Sequence, residues 1–163
     1  MKLKPIYLVA LSIISCTAAT GVACAQGSAK AMPDTREKFE PKRDASKDIQ
    51  NAIKKATKEN KRILLDVGGE WCIWCKRLDE FFETNSDARQ YLKEKYVVVK
   101  VNFSQENENK EVLSKYPKIP GYPHLFVLDK GGKLLHSQDT GLLETGDHHD
   151  HDKVMTFLKK WAG

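Results

Sequence analysis

Four apolar segments of the chain are joined in two different ways, and that difference restricts the fold more than any other feature. Residues 63–67 and 96–103 are separated by a long stretch of helical periodicity, so strands formed there run parallel if they pair. Residues 125–128 and 133–136 are separated only by Asp129-Lys130-Gly131-Gly132, a turn that folds them into an antiparallel hairpin. A chain holding both arrangements is expected to be α/β, with a central mixed β-sheet flanked by helices. The run at 63–67 is apolar apart from Asp66 and is bounded by Lys61-Arg62 and Gly68-Gly69, which suits a buried central strand.

The helices follow from spacing. Ser46 reads as an N-cap, with Ile49, Ala52, Ile53 and Ala56 recurring on one face through Lys58. Leu78, Phe81 and Phe82 place another helix directly after Trp71-Cys72-Ile73-Trp74-Cys75-Lys76. Ser86 is expected to cap a short helix carrying Ala88, Tyr91 and Leu92, and residues 107–116 are expected to be helical. Val154, Phe157, Leu158 and Trp161 make an amphipathic C-terminal helix. No internal repeat is evident.

The N-terminal region has a different character. Lys2 and Lys4 precede an apolar run at 6–14 that is too short to span a bilayer, and Ala23-Cys24-Ala25 has the small-x-small pattern of a cleavage site. Residues 1–25 therefore read as a signal peptide cut before Gln26. Ile13-Ile14-Ser15-Cys16 admits a competing lipoprotein reading, the one route by which the protein would be held to a membrane. Residues 26–45 are polar, with Pro33 and Pro41 and only Met32 and Phe39 as apolar anchors, and read as a flexible linker or arm ahead of a single domain at 46–163. Loss of Lys2 and Lys4 leaves 25 basic residues against 22 acidic ones, a net charge of +3, too mild to imply nucleic acid.

Cleavage also removes Cys16 and Cys24, so Cys72 and Cys75 are the only cysteines of the mature chain. Three positions apart, they close too small a loop to serve as a structural staple. At the first turn of a helix, however, backbone N–H groups and the dipole favour a thiolate on the first of them. Cys72 is the candidate nucleophile and Cys75, one turn on, the candidate resolving thiol. Half of a zinc site is the alternative, but no second cysteine pair survives to complete it. Asp66 is a candidate proton acceptor for Cys75, its charged form being disfavoured in an apolar strand; a strand-end aspartate reaching solvent is the alternative. The run Asp147-His148-His149-Asp150-His151-Asp152 invites a metal reading, but aspartates charging a helix start explain most of it and adjacent histidines point apart. No metal and no cofactor are expected.

These residues together resemble the thioredoxin superfamily over nearly all of residues 46–161. The stretch Asp66-Val67-Gly68-Gly69-Glu70-Trp71-Cys72-Ile73-Trp74-Cys75-Lys76 is similar to the family's active-site segment, with the acid six positions before the first cysteine. Lys100 stands where many members carry a lysine paired with that acid. Tyr122-Pro123 before an apolar strand is similar to the cis-proline segment, and Asp129-Lys130-Gly131-Gly132-Lys133 to the closing hairpin. The resemblance implies a thioredoxin fold, a cis Tyr122-Pro123 bond beside Cys72, and substrate contacts from Trp71, Trp74, Tyr122 and Pro123. Ile73-Trp74 between the cysteines is similar to exported, thioredoxin-like subfamilies rather than to the Gly-Pro form. The glycine common near the end of the last strand has no clear counterpart.

The expected function is an exported, periplasmic thiol-disulfide oxidoreductase that reduces or rearranges disulfides in other exported proteins, with a second thiol-disulfide protein as electron donor or acceptor. A non-catalytic binding module of the same fold and a metal-handling protein are the alternatives.

Overall fold

The computed structural model describes residues 36–163; the expected signal peptide, Cys16, Cys24 and Met32 lie outside the described residues. Among the described residues the elements are α1 (Ala45–Glu59), β1 (Arg62–Gly68), α2 (Ile73–Thr84), α3 (Ser86–Lys95), β2 (Tyr96–Asn102), α4 (Lys110–Leu113), β3 (His124–Leu128) and β4 (Leu134–Asp139). A 3-10 turn (Thr140–Leu143), β5 (Glu144–Thr145), β6 (His148–His149) and α5 (His151–Trp161) follow. The main sheet has the order β2-β1-β3-β4, with β1 and β2 parallel and the other pairs antiparallel. The expected mixed sheet flanked by helices is present.

Period-two alternation sends the residues of β1 to two cores. Ile63, Leu65 and Val67 pack with Ala52 and Ala56 of α1 and with Val99, Val101 and Phe126. Leu64 packs on the opposite face with Leu78 and Phe81 of α2, Ala88 of α3, and Val154 and Leu158 of α5. Asp66 and Gly68 share the Leu64 face, so an acid and a glycine stand where α2 crosses the sheet. The parallel register places Asp66 beside Lys100 and Gly68 beside Asn102. A chemically distinct patch is thereby cut into the end of an otherwise apolar layer.

Local chemistry explains where boundaries differ from the expected ones. Asp44, not Ser46, caps α1, its carboxylate accepting from Lys47 N–H at 3.0 Å. Ser86 is the first helical residue of α3; Asn85 precedes it and spends its side chain on Phe81 O at 2.8 Å, closing α2. The helix expected at 107–116 shrinks to Lys110–Leu113 because asparagines organise its first part as a loop. Asn109 is left-handed at φ 48°, Asn109 N–H donates to Asn107 Oδ1 at 2.9 Å, and Asn102 Nδ2 donates to Asn107 O at 2.8 Å. The hairpin's second strand runs on to Asp139 rather than stopping at 136. That extension carries the chain directly into the 3-10 turn that contains Gly141. Strands β5 and β6, each of two residues, were not anticipated.

Leu65 lies in the central strand and is fully buried under α1. Leu65→Ala is expected to cost about 3 kcal/mol through lost burial and the cavity left behind. A urea titration checks it, the midpoint falling with the slope unchanged.

Candidate active site

Cys72 is the N-cap of α2, reached from β1 through Gly69-Glu70-Trp71. Its N–H donates to Gly69 O at 3.0 Å, and Cys75 N–H donates to Cys72 Sγ at 3.1 Å. The two cysteines are joined by a disulfide, Cα atoms 5.3 Å apart. The Cys72 sulfur therefore faces the open N–H groups of the helix, where negative charge released by reduction is favoured. Cys75 is seated one turn inside. A Cβ on Gly68 would lie 2.5 Å from Cys75 Sγ, so glycine at that position lets α2 approach the strand closely enough to bury the second sulfur.

Next to this seat is a buried ionic cluster. Lys100 Nζ donates to Asp66 Oδ2 at 2.9 Å and to Asp79 Oδ1 at 2.5 Å. Asp79 follows Cys75 by one helical turn and so shares its face of α2. Arg36 donates to the other oxygen of Asp79 at 3.2 Å and grips Glu70 with both terminal nitrogens. Burial works against the Lys100 cation, but the two carboxylates outweigh it and hold its pKa above the ordinary lysine value. Burial pushes Asp79 up, against the pull of Lys100. Asp66 Oδ1 is buried and has no hydrogen-bond partner, an acceptor left open inside the cluster.

The remaining expected site residues are Trp71, Trp74, Tyr122 and Pro123. The Tyr122-Pro123 bond is cis, Pro123 is buried, and Thr140 Oγ1 donates to Pro123 O at 2.6 Å. Trp71 is 59% exposed, pinned by donation from Nε1 to Phe103 O at 2.7 Å and set edge-on to Tyr122 at 5.7 Å. Trp74 turns the other way, under the Arg77 guanidinium at 4.4 Å and edge-on to His149 at 5.7 Å. Tyr122 and Trp74 both pack on the cluster of Phe39, Cys72 and Cys75.

The histidine run disperses. His148 is exposed beside Asp147, His149 is buried between Trp74 and Phe81, and His151 contacts Asp87 of α3 at 2.9 Å. Burial, helped by Arg77 and His148, pushes His149 down to about 4. Among the described residues no group of three or more His, Cys, Asp or Glu is placed to hold a metal ion.

The thioredoxin-like family pattern matches residues 44–130, more than half of the chain. The chain belongs to the thioredoxin-like family. This thioredoxin-like protein is 31% identical over 87 residues to the thiol:disulfide interchange protein DsbD of Actinobacillus pleuropneumoniae, a match covering 53% of this chain and 15% of that one. It is 28% identical over 93 residues to the disulfide bond reductase DsbH of Chlamydia pneumoniae, covering 52% and 55%. The chain thus spans a small part of DsbD and about half of DsbH. The structure of a disulphide isomerase from Xylella fastidiosa Temecula1 superposes with a TM-score of 0.67 at 23% identity, over 77% of this chain and 97% of that one, which shows the shared fold. The two relatives are, by name, a thiol:disulfide interchange protein and a disulfide bond reductase.

Asp79, Glu70, Arg36, Phe39 and Gly68 were not among the expected site residues of this thioredoxin-like protein. Asp79 had a signal, a charged residue one turn after a cysteine on a buried helical face. Arg36 had none, and Phe39 stood out only as an apolar anchor, because their partners lie more than thirty residues away.

Arg36, first among the causes, holds Glu70 well below its ordinary value of 4.5, at about 2, with Phe39 N–H adding to the effect and burial opposing it. A depressed carboxylate stabilises the fold above its unfolded value and loses that contribution as pH falls through the folded one. Glu70→Gln should therefore cost about 1 kcal/mol at pH 7, discounted for a side chain 39% exposed. The difference should shrink between pH 4.5 and 2, as read from denaturation midpoints of the two proteins across that range.

Proposed function

We propose that the chain is an exported thiol-disulfide oxidoreductase working through a Cys72/Cys75 dithiol-disulfide cycle, which reduces or rearranges disulfides in other exported proteins. The observation that carries this reading is the disulfide at the N-terminus of α2, with Cys72 at the cap and Cys75 buried against Gly68. In the reduced protein the Cys72 thiolate attacks a substrate disulfide, forming a mixed disulfide and releasing one substrate sulfur as a thiolate, which takes up a proton. Cys75 then gives its proton to Asp66, whose Oδ1 is open and whose Oδ2 is held by Lys100. The Cys75 thiolate attacks Cys72 Sγ, the Cys72–Cys75 bond forms, and the electron pair of the broken mixed disulfide leaves on the second substrate sulfur.

Trp71, Trp74 and Tyr122 form the contact surface for the substrate polypeptide, with backbone groups of the cis Tyr122-Pro123 segment holding the extended chain and Trp71 and Ile73 exposed. A second thiol-disulfide protein returns Cys72 and Cys75 to the dithiol, and the interchange and reductase names of the relatives support that direction. Export rests on the pattern of residues 1–25. Among the described residues no helix is long and apolar enough to cross a membrane.

Cys75→Ser should accumulate mixed disulfides with substrate proteins, because attack remains while resolution is lost; Cys72→Ser should accumulate few. Non-reducing gels of the two variants after mixing with disulfide-bonded proteins make the comparison. Equal trapping by both would overturn the assignment of nucleophile and resolving thiol.

A further inference from the structure

The segment ahead of α1 reaches into the site. Phe39 is 1% exposed and packs with Cys72 and Cys75. The position a Cβ would take on Gly68 lies 2.5 Å from Cys75 Sγ and 3.1 Å from Phe39 Cζ, so the sulfur and the ring edge meet over the same glycine. The face of that ring carries Lys100 Nζ, 4.2 Å from its centroid. One aromatic ring thus touches both the seat of the second sulfur and the cation that Asp66 and Asp79 share.

The ring is clipped in place. Phe39 N–H donates to Glu70 Oε1 at 3.0 Å, and Arg36 pairs with Glu70 and with Asp79. Glu70 lies two residues before Cys72, so the clip is fastened to the active-site turn itself. An apolar ring against a thiol removes water that would otherwise solvate the thiolate, and loss of that hydration disfavours the charged form. The ring also gains from the ammonium over its face, which keeps Lys100 directed into the cluster.

We propose that Phe39 is a positioning residue of the resolving step, which keeps the Cys75 sulfur dry so that Cys75 stays protonated until it passes its proton to Asp66. The proposal rests on the reading of Cys75 as the resolving thiol. Its consequence is a reduced state with one thiolate, on Cys72, and one thiol, on Cys75. The step itself is unchanged: the proton moves from Cys75 Sγ to a carboxylate oxygen, the Cys72–Cys75 bond forms, and the substrate sulfur leaves with the electron pair. Phe39 determines when the Cys75 sulfur becomes available.

The test follows iodoacetamide alkylation at Cys75 by mass spectrometry across pH, in full-length Cys72→Ser chains carrying Phe39, Phe39→Leu or Phe39→Ala. Phe39→Ala should move the midpoint of the profile to lower pH, with alkylation roughly tenfold faster at pH 7. Phe39→Leu, which refills most of the space, should stay close to the parent. An unmoved midpoint, including a rate raised equally at every pH through easier access, would overturn the proposal, as would equal shifts in the Leu and Ala variants. If Phe39→Ala does not fold, Phe39→Val is read in the same way. Failure of the underlying dithiol reading has a different signature, the loss of selective trapping by Cys75→Ser.

Discussion

The Lys100 ammonium, buried between Asp66 and Asp79, is the interaction on which the rest of the site depends. It draws together a strand residue from β2, its register neighbour on β1, and a helix residue one turn after Cys75. Any one of these groups alone would be an uncompensated buried charge, costly by several kcal/mol. Together they fix the angle at which α2 crosses the sheet, and hence where the disulfide stands. Arg36 closes the far side of Asp79, and through Glu70 it ties the charge cluster to the turn that carries Cys72.

The two cysteines share a motif but occupy different surroundings. Cys72 caps a helix and accepts from Cys75 N–H in its first turn; Cys75 lies against Gly68 and the Phe39 ring. The first environment favours a charged sulfur and the second a neutral one. In the proposed cycle that difference orders the exchange, attack by Cys72 coming before release by Cys75. Exposed Trp71 and Ile73 flank Cys72 and leave apolar surface next to the disulfide.

Much of this was legible in the residues. The Gly131-Gly132 turn and the strands joined through helices required a mixed sheet, and the resemblance to the thioredoxin superfamily implied the Asp66–Lys100 pair. What escaped has physical reasons. Asp79 carries a spacing signal, one turn after Cys75, whose meaning emerges only when that helical face is known to be buried. Arg36 and Phe39 lie in a polar stretch whose composition resembles a linker, and only long-range contacts to Glu70, Asp79 and the disulfide give them a role. The loop at 107–109 defeats helical periodicity because asparagine side chains compete for backbone groups at the end of β2. The histidine run is divided between a two-strand ribbon and a helix start, and His148, His149 and His151 meet different neighbours.

The proposed proton transfer from Cys75 to Asp66 is read by single-turnover release of a preformed mixed disulfide on Cys72. With Asp66→Asn the release rate at pH 7 should fall by about a hundredfold, the lower range for loss of a positioned general base. The deficit should shrink as pH rises and hydroxide takes over the proton. A release rate and pH profile identical to those of the parent protein would contradict the claim, leaving Asp66 as a partner of Lys100 alone.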